Sequence, residues 1–414
     1  MHNKSFFIAI ILLLILAGLA CNKADNDYSL PPSNQTPPVF NPNSPIDSQD
    51  PLMDRIGEMS LQEKVGQLVM VGIEGYNNDA QVQKMITEDH VGGLILLKQN
   101  VKDLQQMLDL IQTLKESNSA NQIPLFLSVD EEGGRISRMP ADFMKLPSNQ
   151  EIGQLNDGML SYQIGQIIGD ELRMLGFNMN FAPVLDINSN PDNPVIGDRA
   201  FGTHADVVSK LGVETMKGLQ SQNIISVVKH FPGHGDTSVD SHIGLPTINH
   251  DMDRLNSFEL QPFAEAIKNG ADAIMIAHIL LPQIDPDHPS TFSKIIISDI
   301  LRRDLQFDGL VITDDMTMGA ITENYDIGQA AVQSINAGSD IILVCHDYDK
   351  EAAVIEALLE AAQNGTITPE RLDESVYRIL ALKEKYALDD RPVSSVKPED
   401  INKKIQALFN DYSL

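Results

Sequence analysis

Eight short apolar runs, at residues 68–73, 93–97, 125–130, 178–184, 225–229, 273–277, 310–313 and 340–344, set the strictest limit on what this chain can fold into. They are continuous rather than alternating, as parallel strands covered on both faces should be. Segments of helical period lie between most of them, at 162–175, 205–220, 257–268, 293–305, 327–337 and 350–362. Ser60-Leu61-Gln62-Glu63 reads as the capping box of an earlier helix. Eight strands alternating with helices predict an α/β fold, a (β/α)8 TIM-type barrel forming a single domain. The competing arrangement, an open doubly wound sheet, calls for a glycine-rich phosphate turn after its first strand. Val71-Gly72-Ile73-Glu74-Gly75 supplies no such G-x-G-x-x-G.

A barrel of this class builds its site where the C-terminal ends of the strands meet. Polar residues collect there. Asp130 ends the third run, Lys229 and His230 the fifth, and Asp314 the seventh, while His278 follows the sixth and Arg199 sits in the long loop after the fourth. The richest stretch is 229–242, Lys-His-Phe-Pro-Gly-His-Gly-Asp-Thr-Ser-Val-Asp-Ser-His, where a buried strand gives way at about Phe231 to a loop. Loops do not need such side chains for packing, and rigid scaffolds display reactive residues this way. The plainer alternative is a polar surface loop with hydrogen-bonded histidines. A metal is not expected: His230 and His234 are four apart, but Pro232 and Gly233 between them break any helix that would make ligands of them. There is no H-E-x-x-H segment either, and no cofactor motif.

The first 21 residues read as a targeting signal: Lys4, an apolar run from Phe6 to Leu16, then Ala17-Gly18-Leu19-Ala20-Cys21. The run is short for a spanning helix. Cys21 after small residues resembles a bacterial lipoprotein cleavage site, although Gly18 stands where leucine is usual, so plain secretion is the alternative. Residues 22–50, rich in Asn, Asp, Ser and Pro, are expected to be a disordered tether. Residues 51–388 form the barrel domain in this reading, and 389–414 a tail with at most one short helix. Cys345 is the other cysteine, so with Cys21 lipidated no intramolecular disulfide remains. With 58 acidic against 30 basic residues, a formal charge of −28, nucleic acid is excluded as a partner. Contact with a membrane is expected only through the lipid, and a monomer is expected.

Six segments resemble glycoside hydrolase family 3, in its β-N-acetylglucosaminidase branch. They are Ser128–Arg135 (SVDEEGGR), Asn180–Asp186 (NFAPVLD), Ile196–Gly202 (IGDRAFG), the Lys229–His242 stretch, Met275–His278 (MIAH) and Ile312–Met318 (ITDDMTM). They run in family order over about residues 51–382. The resemblance implies a covalent, retaining mechanism with Asp314 as nucleophile and His242, oriented by Asp240, as acid/base. Asp315 is the rival nucleophile. Consecutive strand residues point to opposite faces, so one of the pair should face the site. An Asx-turn in which Asp240 bonds loop backbone is the structural alternative for the Asp240–His242 pair. Asp130, Arg199, Lys229, His230 and His278 are the expected sugar contacts, with a rim salt-bridge network as the alternative. His234 and Asp236 are expected to shape the loop, and Asp186 to be structural. The implied substrate is a GlcNAc-containing oligosaccharide or muropeptide. A broader hexosaminidase, a phosphorylase and a sugar-binding protein without catalysis are the rival functions.

Overall fold

The computed structural model describes residues 50–393 and 396–414. The expected signal at 1–21, its Cys21 and all but the last residue of the tether lie outside the described residues. Eight strands form in the order expected: β1 Val69–Val71, β2 Gly93–Leu96, β3 Phe126–Val129, β4 Met179–Asn180, β5 Ile225–Phe231, β6 Ala273–Ile276, β7 Leu310–Thr313 and β8 Ile342–Val344. Neighbours in sequence are neighbours in the sheet, all parallel, and β8 returns to pair with β1. A bridge between Ile312 and Ile341, with the Thr313 amide donating to the Ile341 carbonyl at 3.0 Å, joins β7 to the segment entering β8. The chain is a (β/α)8 barrel.

Every residue of every strand is buried, which is why the runs are continuous and not alternating. The capping box at Ser60 forms, with the Glu63 amide donating to Ser60 Oγ and the Ser60 amide to Glu63. Two expected helices differ. The one expected at 257–268 is helical only over Gln261–Lys268, after a separate short helix Met252–Ser257. Arg254 holds the break, gripping Glu259 through both its Nε and Nη2 and lying 4.4 Å over the Phe258 ring. The segment at 293–305 is wound as a π-helix over Ile295–Asp304. Helices Leu104–Asn118 and Pro369–Lys385 add to those expected. A last helix, Pro398–Tyr412, buries Ile401, Ile405 and Leu408, and its Lys404 pairs with Asp170 of helix Gly158–Leu175 at 2.5 Å. Among the described residues no helix is long and apolar enough to cross a membrane.

At the end of the barrel away from the strand C-termini, Asp340 is a buried hub. Its Oδ2 accepts from Arg302 at 2.6 Å and from the Val311 amide at 3.0 Å. Its Oδ1 accepts from Ser375 at 2.8 Å and from Arg371 and Arg378 at 3.3 Å. Burial alone would raise its pKa, but the three guanidiniums outweigh it and hold the carboxyl down at about 2. Asp340→Ala would strand buried cations, so it is expected to destabilise the fold by about 3–5 kcal/mol, read as a lowered urea midpoint. Because the folded pKa is depressed, Asp340's contribution is complete above the unfolded value of about 3.9 and is lost as pH falls through about 2.

Candidate active site

The strand C-termini open into a cavity of about 460 Å³, a volume typical of small-molecule sites. Asp130, Glu132, Arg138, Arg199, Lys229 and His230 make one side of its lining, and Asp314, Asp315, Ser241 and His242 another. On the first side Glu132 is the centre. Arg199 grips it with Nε at 2.9 Å and Nη2 at 2.8 Å, and Lys229 Nζ reaches it at 2.8 Å. Lys229 also donates to Asp130 Oδ1 at 2.5 Å, and Arg138 stands 3.8 Å from Asp130 Oδ2. Burial would raise the Glu132 pKa, but Arg199 and Lys229 more than offset it and hold the carboxyl well below the usual carboxylate range. The Lys229 side chain is only 2% exposed. With two of its three ammonium hydrogens committed, it keeps one donor for a ligand. Asp130 keeps acceptor capacity on Oδ2.

His230 is set from behind by Asp186, whose Oδ2 meets His230 Nδ1 at 2.6 Å. Arg199 Nη2 lies 3.5 Å from His230 Nε2, and since a guanidinium only donates, Nε2 accepts and Nδ1 carries the hydrogen to Asp186. Asp186 Oδ1 also takes the His234 amide at 2.7 Å. His234 is buried between hydroxyls, with Thr237 Oγ1 at 2.8 Å from Nδ1 and Ser241 Oγ at 3.2 Å from Nε2. Burial, helped by His230, lowers its pKa to about 4, so the ring is neutral near pH 7.

Asp314 and Asp315 both border the cavity, so opposite-facing side chains do not separate them. They lie just past the end of β7, where strand alternation no longer applies. Hydrogen bonding separates them instead. Asp315 accepts from the Thr317 amide, the Thr317 hydroxyl and the Cys345 amide, at 2.9, 2.6 and 2.9 Å. Asp314 accepts only the Asp315 amide on Oδ1, at 2.8 Å, and Oδ2 takes no hydrogen bond among the described residues. Burial pushes the Asp314 pKa up. The imidazoles of His230 and His278, the Asp315 amide and Lys229 more than counter it, leaving the carboxyl below its ordinary value.

The loop after β5 brings His242 to the mouth. Asp240 Oδ1 accepts the His242 amide at 2.9 Å and meets the ring Nδ1 at 2.7 Å. The Asx-turn and the ring-orienting contact, posed as alternatives by the sequence, are therefore made by one oxygen. Burial raises the Asp240 pKa, but the amide and ring of His242 outweigh it and keep the carboxylate charged. The His242 side chain is 65% exposed, and its Nε2 has no partner among the described residues.

Comparison with known proteins gives the same fold and residue pattern a name. Residues 60–382 match the model for the glycosyl hydrolase family 3 N-terminal domain. The chain belongs to glycoside hydrolase family 3. It is 36% identical over 329 residues to the family relative named beta-hexosaminidase A of Pseudoalteromonas piscicida, covering 74% of this chain and 55% of that one. It thus spans little more than half the length of that relative. Against the beta-hexosaminidase of Idiomarina loihiensis it is 36% identical, covering 71% of this chain and 88% of the other. A family 3 β-N-acetylglucosaminidase structure from Paenibacillus sp. superposes with a TM-score of 0.80 at 43% identity, over 84% of this chain and 68% of that one.

Within this family 3 barrel the structure gathers Asp130, Arg199, Lys229, His230, His242 and Asp314 around one cavity. His278, expected among the sugar contacts, is the exception: it does not line the cavity. It is fully buried, with Nδ1 at 2.6 Å from Thr291 Oγ1 and Nε2 at 3.0 Å from the Asp315 carbonyl, so no ring nitrogen is left for a sugar. It holds the backbone beside Asp314. Glu132 and Arg138 are among the cavity residues that the sequence reading does not single out. Glu132 lies inside the SVDEEGGR segment, where it is one of three consecutive acids. Arg138 lies three residues beyond that segment's own Arg135, which is half-exposed and pairs with Asp198 at 2.6 Å.

Proposed function

We propose that this family 3 chain is a retaining exo-β-N-acetylglucosaminidase that removes non-reducing terminal GlcNAc from peptidoglycan fragments such as GlcNAc–MurNAc. One observation carries the reading. A carboxylate with an uncommitted oxygen, Asp314, and an imidazole with an uncommitted Nε2, His242, border the same cavity. In the first step Asp314 attacks the anomeric carbon, the glycosidic C–O bond breaks, and the departing oxygen takes the Nε2 proton of His242. In the second, water attacks that carbon, gives its proton back to His242 and releases Asp314. Asp240 orients the ring, as the carboxylate of a triad does. The acids and cations around Asp130 and Glu132 supply charge-assisted hydrogen bonds to ring hydroxyls, roughly twice as strong as neutral ones. Relatives named for hexosaminidase and N-acetylglucosaminidase activity support the sugar assignment.

The test is product analysis on purified GlcNAc–MurNAc, with the first-formed anomer followed by proton NMR. Release of β-GlcNAc is expected. Release of the α-anomer, or an intact disaccharide, overturns the reading.

The proposed site of action is outside the cytoplasm, on a lipid anchor at Cys21 with residues 22–50 as spacer. Each buried acyl CH₂ adds about 0.8 kcal/mol, so several chains on one cysteine hold a protein firmly. Cys21→Ser is expected to move the protein from the membrane fraction to the soluble one with activity per molecule unchanged. Membrane retention of that variant after signal removal would show a different anchor.

A further inference from the structure

We infer that the segment following the nucleophile sets the position of the acid/base loop, through the amides of Gly319 and Ala320 and the absence of a side chain at Gly319. The inference rests on the reading of His242 as acid/base. The Gly319 amide donates to the His242 carbonyl at 3.2 Å, and the Ala320 amide donates to the Ser241 carbonyl at 3.1 Å. Ser241 is buried between this contact and His234, whose Nε2 its hydroxyl meets at 3.2 Å. The Asp240–His242 turn is thus clamped between His234, earlier in its own loop, and the β7 loop beside it. The β7 loop is the one that carries Asp314.

Gly319 is where the approach is tightest. A Cβ there would sit 2.7 Å from the His242 carbonyl oxygen and 3.0 Å from that of Ile243, both backbone atoms of the acid/base loop. Gly319 is not among the glycines with positive φ and begins the helix Gly319–Thr322, so its own backbone accepts alanine. Helix propensity even favours alanine over glycine. The glycine is therefore needed for the close approach of the other loop, not for its own conformation. A methyl group at 319 forces the His242 carbonyl away and takes the ring with it. Gly319 acts as a positioning residue that ties the acid/base to the nucleophile's own loop.

The test is Gly319→Ala in the full chain, with the glycosylation step followed on aryl β-GlcNAc glycosides of good and poor leaving groups. The poor leaving group is expected to lose about 10- to 100-fold, less than or at most equal to the low end of the 10²–10⁴-fold typical of removing general acid catalysis outright, while the good one changes little. The melting temperature should not fall. The Gly319→Ala/His242→Ala double variant should be no slower than His242→Ala alone, because both act through one group. Equal losses on both substrates, no loss, or an additive double variant would overturn the inference. A second readout is independent of activity. The chain contains no tryptophan, so Ile243→Trp, at a position 71% exposed, places a single reporter on the loop. Adding Gly319→Ala in that background should shift its emission or its access to a quencher, and an unchanged signal overturns the contact. If His242→Ala spares poor leaving groups, the acid/base reading falls, and the emission readout alone then decides whether Gly319 places the loop.

Discussion

Asp314→Ala is expected to abolish turnover, by at least about 10⁴-fold, while the protein melts near its native temperature. Asp314 makes one hydrogen bond to protein, from the Asp315 amide, and no salt bridge within 4 Å among the described residues, so its removal leaves little unpaired. Held below the usual carboxylate range, it stays ionised through mildly acidic pH, the form a nucleophile needs. Asp315→Ala should behave in the opposite way. It removes the acceptor for Thr317 and for the Cys345 amide, tying the β7 and β8 loops together, and leaves buried donors unmet. A stability loss of about 1–3 kcal/mol with part of the activity kept is the expected outcome. Turnover and thermal melting on the two variants check this directly. A dead Asp315→Ala beside an active Asp314→Ala would move the nucleophile by one residue.

The second large effect is a selective one. His242→Ala should slow glycosylation of substrates with a poor leaving group far more than those with a good one, the difference being about 10²–10⁴-fold. Asp314 remains able to attack in this variant, and only protonation of the leaving oxygen is lost. The geometry at Asp240 refines the expectation for its variants. One oxygen of Asp240 takes both the His242 amide and the ring, and the amide oxygen of an asparagine can still do so. Asp240→Asn should therefore keep the turn and lose only the negative charge beside the ring, giving a milder version of the same pattern. Asp240→Ala loses the turn as well and should approach His242→Ala. Single-turnover rates on a series of aryl glycosides measure all three. Equal losses across the series would assign His242 to sugar binding or loop shape.

The strands were legible because a parallel barrel strand is buried on both sides, so its run of apolar residues needs no partner to be seen. Residues at strand ends, such as Asp130, Lys229 and Asp314, were legible for a related reason, since the barrel dictates where those ends converge. What could not be read was which polar groups satisfy one another across loops. Glu132 draws its importance from Arg199 and Lys229, 67 and 97 positions away, and no local pattern announces that. His278 looked like a site residue because it follows β6. Its ring is claimed by Thr291 and the Asp315 carbonyl, contacts that exist only once the barrel closes. The break at Phe258–Leu260 is similar: helical periodicity runs through it, and the Arg254–Glu259 grip that interrupts it is a side-chain event.

The lining of the cavity carries one more consequence. Four acids, Asp130, Glu132, Asp314 and Asp315, face four permanent cations, Lys98, Arg138, Arg199 and Lys229, inside a chain whose formal charge is −28. The site is locally neutral within a strongly anionic molecule. A neutral sugar entering it displaces water but no condensed counterions, and the surrounding field neither draws it in nor repels it. At 0.15 M ionic strength charges more than about 8 Å away are largely screened in any case. Michaelis constants for uncharged glycosides should therefore stay nearly flat as salt is raised, whereas an aglycone bearing a carboxylate would feel the acidic exterior and bind more readily as salt increases.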